Sequence, residues 1–479
     1  MGSGSSVPIK MPTDGAHLHA FSSLNNGKLD DFYQVETTKL GEGAYGSVWK
    51  AVHKSTNALR AIKAIDRRKI TDGERFETEV DIQCALDHPN IVQLYEVFVD
   101  AMKVYLVMEL CNGGQLFDRI MEEAEKNGGN AFDERGAATY MQQILGAMSY
   151  LHKNDFVHRD VKPENLLLQS RDPDAPVKVI DFGCAREYKV GSGRTMRKIP
   201  TKVTPYYVAP EILQERYDEK CDVWGCGVIC YILLCGYPPF FGETDGDILQ
   251  MVKKGAFTFP SQDWDGTSPE AKECISQMLT LNATNRPSAA KMLEHRWLDK
   301  NAEAPKGKPP NDLCGNLKKF NEGSRMKKVA LTLIAQQLKN EDLEQLRSAF
   351  LVLDKNKDGT LSIEEIQKGM ADSALEIPPD LIEIMKNLDG SGRIDYTEFI
   401  AATLSQKQYL QKEVLWSAFR VFDKDGTGKI TKQELGAILK EQADGEAIRD
   451  MVSEVDLGGD GEISFDEFVT LMEKGVVLK

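Results

Sequence analysis

One short loop in the sequence holds three side chains that could do chemistry together. Residues 158–165 read HRDVKPEN, which places the carboxylate of Asp160, the ammonium group of Lys162 and the amide of Asn165 close along the chain. Asp181, the first residue of a DFG triplet, follows 21 residues after Asp160. Phosphoryl transfer needs an acceptor for a hydroxyl proton, positive charge near the transferred phosphate and oxygen ligands for Mg²⁺. We therefore predict that Asp160 accepts the proton, Lys162 supplies the charge, and Asn165 and Asp181 hold Mg²⁺.

A glycine-rich segment upstream could hold the phosphates of a nucleotide. It lies between two strand-like runs, residues 35–40 and 47–52. Glycines let the backbone fold tightly and present N–H groups to phosphate oxygens. A dinucleotide-binding glycine motif opens a helix, so the position between two strands disfavours that alternative. The residues predicted to contact the nucleotide here are Leu40, Gly41, Glu42, Gly43, Ala44, Tyr45, Gly46, Ser47 and Val48.

Lys63 lies in the next strand-like run, residues 59–65, where a lysine can reach the nucleotide phosphates. Its charge needs a fixed carboxylate partner. Glu79, on the helical stretch 74–86, is the best candidate, because Glu77 would point to another side of the helix. The alternative is that Lys63 and Glu79 are two unrelated surface residues.

The C-terminal part of the sequence carries loops with the spacing of EF-hand calcium sites. Such loops place oxygen ligands at positions 1, 3, 5, 7 and 12 and glycine at position 6. Loops 354–365 and 423–434 satisfy every position, whereas loop 456–467 has Gly458 at position 3. The predicted calcium ligands are Asp354, Asn356, Asp358, Thr360 and Glu365, then Asp423, Asp425, Thr427, Lys429 (by its backbone carbonyl) and Glu434, and then Asp456, Asp460, Glu462 and Glu467.

One more loop, the second of the four in chain order, ends at Glu398, and we predict that it is degenerate. A twelve-residue frame would begin at Asn387, but the entering helix has its apolar face in the register of the other hands only if the loop begins at Asp389. The loop then has ten residues and lacks an oxygen ligand. We expect it to bind calcium poorly and to act as the structural mate of the first hand.

Composition and charge favour a soluble, cation-binding protein. The chain has 479 residues and a net charge of −15, and residues 341–479 carry −13 of that charge. An acidic C-terminal third argues against nucleic-acid binding. Nine scattered cysteines indicate reduced thiols in a cytoplasmic setting. No apolar run reaches the roughly 20 residues that a membrane span needs.

The two remaining segments are an N-terminal leader and a junction. Residues 1–31 are expected to be disordered, and Gly2 fits a myristoylation pattern that would give at most weak membrane association. The alternative for Gly2 is a plain flexible leader. Residues 299–340 combine a Pro/Gly-rich linker with apolar residues at helical spacing between Met326 and Leu338. A basic amphipathic helix of this kind suits the groove of a calcium sensor, although it could also be a linker helix packed on the preceding domain.

These motifs identify a resemblance. Residues 34–298 resemble a eukaryotic Ser/Thr protein kinase of the calcium/calmodulin-regulated group, and the whole chain is similar to the calcium-dependent protein kinases of plants and alveolate protists. The resemblance implies an α+β chain with a bilobal kinase domain at 32–298, the linker and junction helix at 299–340 and an all-α calmodulin-like domain at 341–475. It adds these residues to the nucleotide site, with Met108 as gatekeeper and Glu109 beginning the hinge: Ala61, Lys63, Met108, Glu109, Leu110, Gln115 and Asp181.

The resemblance also implies a function: a monomeric kinase that transfers the γ-phosphate of ATP to protein Ser/Thr, with Mg²⁺, when Ca²⁺ rearranges the junction helix and EF-hands. Gln115 departs from the family pattern, which usually has Glu there, so selection of a substrate arginine at that subsite is in doubt. One alternative is a calcium-binding scaffold built on an inactive kinase, which the intact Lys63, Asp160 and Asp181 disfavour. The other is a kinase that needs separate calmodulin, which its own calcium loops disfavour.

Overall fold

The strands predicted around the glycine-rich segment form an antiparallel sheet in a computed structural model of the chain. The structure describes residues 23–25, 27–42, 46–70, 72–126, 132–192, 196, 204–379, 381–386, 392–439 and 445–473. Gly2 and residues 43–45 of the predicted nucleotide site lie outside the described residues.

The N-terminal lobe is a six-stranded sheet that packs against one long helix. Its elements are β1 (Ser23–Asn25), α1 (Leu29–Phe32), β2 (Tyr33–Glu42), β3 (Gly46–His53), β4 (Leu59–Asp66), α2 (Gly73–Ala85), β5 (Leu94–Val99) and β6 (Lys103–Glu109). The strand order is β1-β5-β6-β4-β3-β2. Phe76 and Val80 of α2 pack on apolar side chains of β4, β5 and β6. Glu79 shares that helix face by its spacing, so the packing brings it towards the sheet.

Strand β1 differs from the expectation of a disordered leader. It pairs in parallel with β5, whereas the other neighbours in the sheet are antiparallel. The Asn25 side chain donates to the buried Glu96 carboxylate at 3.1 Å, and the Tyr33 hydroxyl donates to the same group. These hydrogen bonds therefore hold residues 23–25 as a strand, although the leader 1–31 was predicted to have no regular structure.

The C-terminal lobe is mainly helical around one fully buried helix. Its elements are α3 (Leu116–Lys126), α4 (Glu134–Lys153), β7 (Phe156–Val157), β8 (Leu166–Leu168), β9 (Val177–Val179), β10 (Arg186–Glu187), α5 (Lys220–Cys235), α6 (Asp245–Lys254), α7 (Ser261–Trp264), α8 (Pro269–Met278), α9 (Ala289–Leu293) and α10 (Arg296–Asn301). Every residue of α5 after Lys220 is buried, as expected for a helix that is apolar all round. Arg286 forms a buried ion pair with Glu211 at 2.5 Å.

The junction contains two helices, α11 (Leu313–Glu322) and α12 (Arg325–Gln337). The predicted apolar face of α12 is buried, including Met326, Leu333 and Ile334. One amphipathic helix was predicted for this segment, whereas the first helix ends before Gly323 and Ser324 caps the second. Serine is a preferred N-cap, so the break has a local cause.

The EF-hand module consists of two pairs of hands. Its elements are α13 (Asn340–Leu353), β11 (Thr360–Ser362), α14 (Ile363–Asp372), α15 (Leu381–Lys386), β12 (Arg393–Asp395), α16 (Tyr396–Thr403), α17 (Gln406–Tyr409), α18 (Lys412–Phe422), β13 (Lys429–Ile430), α19 (Lys432–Leu439), α20 (Gly445–Val455), β14 (Ile463–Ser464) and α21 (Phe465–Glu473). Short antiparallel pairs β11–β12 and β13–β14 join the loops two by two. Within the part of the chain that the structure describes, no helix is both long and apolar enough to span a bilayer.

Candidate active site and calcium loops

The loop 158–165 is held in place by hydrogen bonds to the buried carboxylate of Asp222, near the start of α5. Asp222 accepts the backbone N–H groups of His158 and Arg159 at 2.9 and 2.7 Å, and His152 contacts it at 2.9 Å. Burial acts to raise the pKa of Asp222, but the hydrogen bonds from His152 and the Arg159 N–H, together with the electrostatic effect of His152 and His158, keep that pKa below its usual value. The ionised carboxylate therefore holds the loop, a contact between distant residues that the sequence analysis missed.

The three predicted loop residues meet at one carboxylate. Lys162 Nζ lies 2.7 Å from Asp160 Oδ2 and 3.3 Å from Thr204 Oγ1. The Asn165 side-chain amide donates to the same Asp160 oxygen at 3.0 Å and to the Asp160 carbonyl at 2.9 Å. Because the Asn165 nitrogen is used in this way, its side-chain oxygen is the atom that it can offer to a metal. The carboxylate and the amide oxygen are ligands of the kind that Mg²⁺ takes. The ammonium group supplies the positive charge that a phosphate requires.

Asp181 lies at the end of β9 in a left-handed conformation, with φ of 65°. Phe182 behind it is buried and packs against the His158 ring at 5.2 Å between ring centres. Arg75 of α2 donates to the Gly183 carbonyl at 2.8 and 3.0 Å. The segment that carries the predicted metal ligand is thereby tied to both the loop and helix α2, and Arg75 is a second residue that the sequence analysis missed.

Lys63 and Glu79 lie together between the lobes. Lys63 Nζ is 3.5 Å from Glu79 Oε1, and the Glu79 side chain is buried. Strand β4 supplies the lysine and helix α2 supplies the carboxylate, so the pair depends on the packing of that helix on the sheet. The geometry agrees with the predicted pairing.

The predicted adenine site lines the connection between the lobes. Ala61 and Leu110 are buried, Gln83 contacts the Met108 sulfur at 3.6 Å, and Gln115 forms a backbone bridge with Leu167. The Glu109 side chain forms a buried ion pair with Lys178 at 2.7 Å. Leu40 and Glu42 are exposed, as expected for a segment that covers a ligand from outside.

The third calcium loop brings its ligands together. Carboxylate oxygens of Asp423, Asp425 and Glu434 lie within 4.8 Å of one another. Gly428 has a φ of 83°, the left-handed conformation that the turn requires, and its N–H donates to Asp423 at 2.9 Å. This donor set fits Ca²⁺, a hard cation that takes oxygen ligands.

The first and fourth loops are arranged differently, and among the described residues their carboxylates form no comparable group. In the first loop, Asp354 is buried, which raises its pKa to about 7, and Asp358 is ion-paired with Lys153 of α4 and with Arg393 at 3.1 Å. In the fourth loop, Asp460 and Glu462 are ion-paired with Lys429 of the third loop, at 2.5 and 3.3 Å. The other predicted ligands keep backbone contacts: Glu365 accepts from Asn356 N–H at 3.1 Å, and Glu467 accepts from Gly458 N–H at 2.8 Å.

The helix that enters the second hand has the face predicted for a shortened loop. Leu381, Ile384 and Met385 are buried, whereas Ile382 is exposed. A loop beginning at Asn387 would instead require Ile382 to be buried. The loop residues 387–391 lie outside the described residues.

The EF-hand module is seated on a surface of the catalytic domain that we call the docking face, formed by Arg60, Asp87, Pro89, Lys153 and Gln169. Arg60 donates to the Gln336 carbonyl at 2.8 Å, at the C-terminal end of α12 where helix carbonyls lack partners. Asp87 accepts from the Thr397 N–H and hydroxyl at 2.8 and 2.7 Å. Arg347 of α13 donates to the Pro89 carbonyl at 3.0 Å and to the Gln169 side chain.

Fold and site together define a protein kinase joined to two EF-hand pairs. The family model for the protein kinase domain matches residues 34–298, and that for the EF-hand domain pair matches residues 343–404 and 412–473. Calcium-dependent protein kinase 5 of Plasmodium falciparum (isolate 3D7) is 42% identical over 459 residues, covering 94% of this chain and 79% of that protein. Calcium-dependent protein kinase 3 of Plasmodium berghei (strain Anka) is 40% identical over 460 residues, covering 93% and 81%. Calcium-dependent protein kinase 17 of Arabidopsis thaliana is 38% identical over 446 residues, covering 91% and 83%.

The chain belongs to the calcium-dependent protein kinases. This confirms the family and fold class predicted from the sequence. It also confirms the predicted function, a calcium-regulated Ser/Thr protein kinase, and its cofactors ATP, Mg²⁺ and Ca²⁺.

Proposed function

We propose that Asp160 accepts the proton of the substrate hydroxyl and that Lys162 and Lys63 stabilise the charge on the phosphates. The observation that carries this assignment is the contact of Lys162 and Asn165 with the same Asp160 oxygen, at 2.7 and 3.0 Å. A base must lie within hydrogen-bond reach of its proton and be held in one orientation, and two donors on one carboxylate provide that restraint. Glu79 keeps Lys63 directed between the lobes.

Asn165 and Asp181 are the proposed Mg²⁺ ligands. With Mg²⁺ and ATP bound, these two side chains would hold the ion, and the ion would supply positive charge against the charge that develops on the phosphates. The chain's own contribution is to present the two side chains from fixed positions. Asn165 is held through its amide nitrogen, and Asp181 is held by its tie to Gly183.

Asp160→Ala should reduce phosphorylation of a generic Ser-containing peptide by at least about a thousandfold, because it removes the proton acceptor and a charge near the phosphates. Binding of ADP by calorimetry should change little, since the glycine-rich segment is intact. Lys63→Met should reduce both measurements. Substantial peptide phosphorylation by purified Asp160→Ala protein would refute the role of Asp160.

For regulation, we propose that Ca²⁺ acts on the catalytic domain through the EF-hand module and the junction 299–340. The contacts of Arg60 with the end of α12 and of Asp87 with Thr397 support a direct physical route. The relatives named calcium-dependent protein kinases support the same assignment. Peptide phosphorylation should rise with buffered free calcium in the absence of calmodulin, and a calcium-independent rate would refute the proposal.

Location and assembly complete the proposal: a cytoplasmic monomer that associates weakly with membranes if Gly2 is acylated. One acyl chain gives marginal, reversible binding. Sedimentation of the full chain with anionic vesicles, compared between myristoylated protein and Gly2→Ala protein, tests the membrane part, and light scattering tests the monomer.

A further inference from the structure

The first calcium loop is seated directly on helix α4 of the catalytic domain. Lys153, the last residue of α4, is ion-paired with Asp358 at position 5 of the loop. The Asp358 side chain is 2% exposed and the Lys153 side chain is 46% exposed. A Cβ on Gly359 would collide with the His88 ring, and a Cβ on Gly146 of α4 would lie 3.0 Å from the Lys357 carbonyl. The loop therefore fits against the kinase with little free space.

Both oxygens of Asp358 are already engaged by protein donors. Oδ1 accepts from the Thr360 N–H at 3.0 Å and the Thr360 hydroxyl at 2.7 Å. Oδ2 accepts from Lys153, from the Asn356 side chain at 2.7 Å and from Arg393 at 3.1 Å. A calcium ion that uses Asp358 as a ligand must displace one of these two sets of donors, and it meets the positive charges of Lys153 and Arg393 at Oδ2.

The other loops of the same chain provide an internal comparison. In the third loop, the carboxylates of Asp423, Asp425 and Glu434 converge, and position 5 is the uncharged Thr427. In the fourth loop, Asp460 at position 5 is ion-paired with Lys429, and the described carboxylates of that loop do not converge. In both loops whose position-5 aspartate is ion-paired with a lysine, the first and the fourth, the described carboxylates are thus held apart. Lys429 belongs to the EF-hand module itself, whereas Lys153 belongs to the catalytic domain.

We propose that Lys153 competes with Ca²⁺ for Asp358, so that the catalytic domain lowers the calcium affinity of the first loop while the loop is seated on α4. This inference rests on the proposal that loop 354–365 is a calcium site. Coupling of this kind is reciprocal, so calcium in the first loop weakens the contact with Lys153 by the same factor. The kinase domain thereby helps to set the calcium concentration at which its own regulator responds.

Lys153→Met tests the inference, because methionine keeps most of the side-chain length and removes the charge. In a calorimetric calcium titration of the full chain, one site should tighten by about threefold to tenfold. The effect is held to this range because an exposed ammonium group is screened by water. Lys153→Arg keeps the charge and should match the unmodified protein. Lys291→Met, on α9, removes another ion-paired lysine, whose partner is Glu294, and should also leave every site unchanged.

A double-mutant cycle identifies the partner. In an Asp358→Asn background the Lys153→Met change should have less than a twofold effect, because the carboxylate for which lysine competes is gone. Glu365→Gln separately reports whether the loop binds calcium, by removing one site from the titration. If Glu365→Gln removes a site and Lys153→Met shifts none by more than twofold, competition by Lys153 is refuted and the loop remains a calcium site. If Glu365→Gln removes no site, the loop is not a calcium site and both proposals fall.

Discussion

Replacing Thr397 with valine should loosen the EF-hand module from the docking face. The Asp87 carboxylate accepts the Thr397 hydroxyl at 2.7 Å and its N–H at 2.8 Å, and both residues are buried. Valine has the shape of threonine but lacks the hydroxyl, so one hydrogen bond to a charged group is lost while the other stays. Such a bond contributes about 1.5–3 kcal/mol, and about 2 kcal/mol corresponds to a roughly thirtyfold change in the docking equilibrium.

Hydrogen exchange by mass spectrometry measures this directly, because the Thr397 amide is itself one of the two donors. Peptides that cover α16 should exchange roughly thirtyfold faster in the Thr397→Val protein if the module must leave Asp87 before exchange occurs. Thr397→Ser keeps the hydroxyl and should exchange at nearly the original rate. Thr403→Val removes a hydroxyl whose partner, the Phe399 carbonyl, lies in the same helix, and it serves as the control away from Asp87.

Two outcomes would contradict this prediction: Thr397→Val changes the exchange rate in α16 by less than about threefold, or it changes that rate no more than Thr403→Val does. Either result would mean that the Asp87 contact does not hold the module on the kinase in solution.

Further predictions concern calcium, pH and the hinge. Glu434→Gln removes a carboxylate from the converging loop and should shift half-maximal activation to about tenfold higher calcium, whereas Glu398→Gln should shift it by less than about twofold; equal shifts would refute the degenerate reading of the second hand. Burial lowers the pKa of His88 to about 3, below its value of about 6.5 in an unfolded chain, so stability is lost as pH falls below about 6.5, by about 2 kcal/mol at pH 5. His88→Asn keeps an acceptor but does not titrate, and urea unfolding at pH 5 and pH 8 should show that loss only with histidine. Lys178→Met leaves the buried Glu109 carboxylate without its cation and should cost about 3–5 kcal/mol in thermal unfolding, with partial recovery in Lys178→Met/Glu109→Leu; no recovery would contradict the pairing.

The sequence predicts this protein best where function depends on neighbouring residues. Asp160, Lys162 and Asn165 lie in one loop, so their spacing alone restricts their geometry. Lys63 and Glu79 lie on a strand and a helix that the sequence pattern predicted, and Lys63 Nζ is 3.5 Å from Glu79 Oε1. Calcium loops are likewise continuous in sequence, and the loop that ends at Glu398 was predicted to be the structural mate of the first, to which β11–β12 joins it.

Contacts between distant polar residues could not be predicted in this way. Asp87 and Thr397 are 310 residues apart, and an aspartate and a threonine carry no periodic signal that marks them as partners. Asp222 lies in a buried apolar helix, and only its contact with the loop at His158 reveals its role. The break at Gly323 did have a signal, because glycine followed by serine is typical of one helix ending and another beginning.

The buried cysteines of helix α5 make it possible to measure how often the catalytic domain opens. Four residues of the helix are buried cysteines, Cys221, Cys226, Cys230 and Cys235, and burial raises the pKa of each thiol. Only the thiolate attacks alkylating reagents or disulfides, so these sulfurs should be inert at neutral pH as long as the helix stays covered. The rate at which an alkylating reagent modifies these cysteines in the folded protein therefore reports how often the centre of the C-terminal lobe becomes exposed. No cysteine has to be introduced for this measurement.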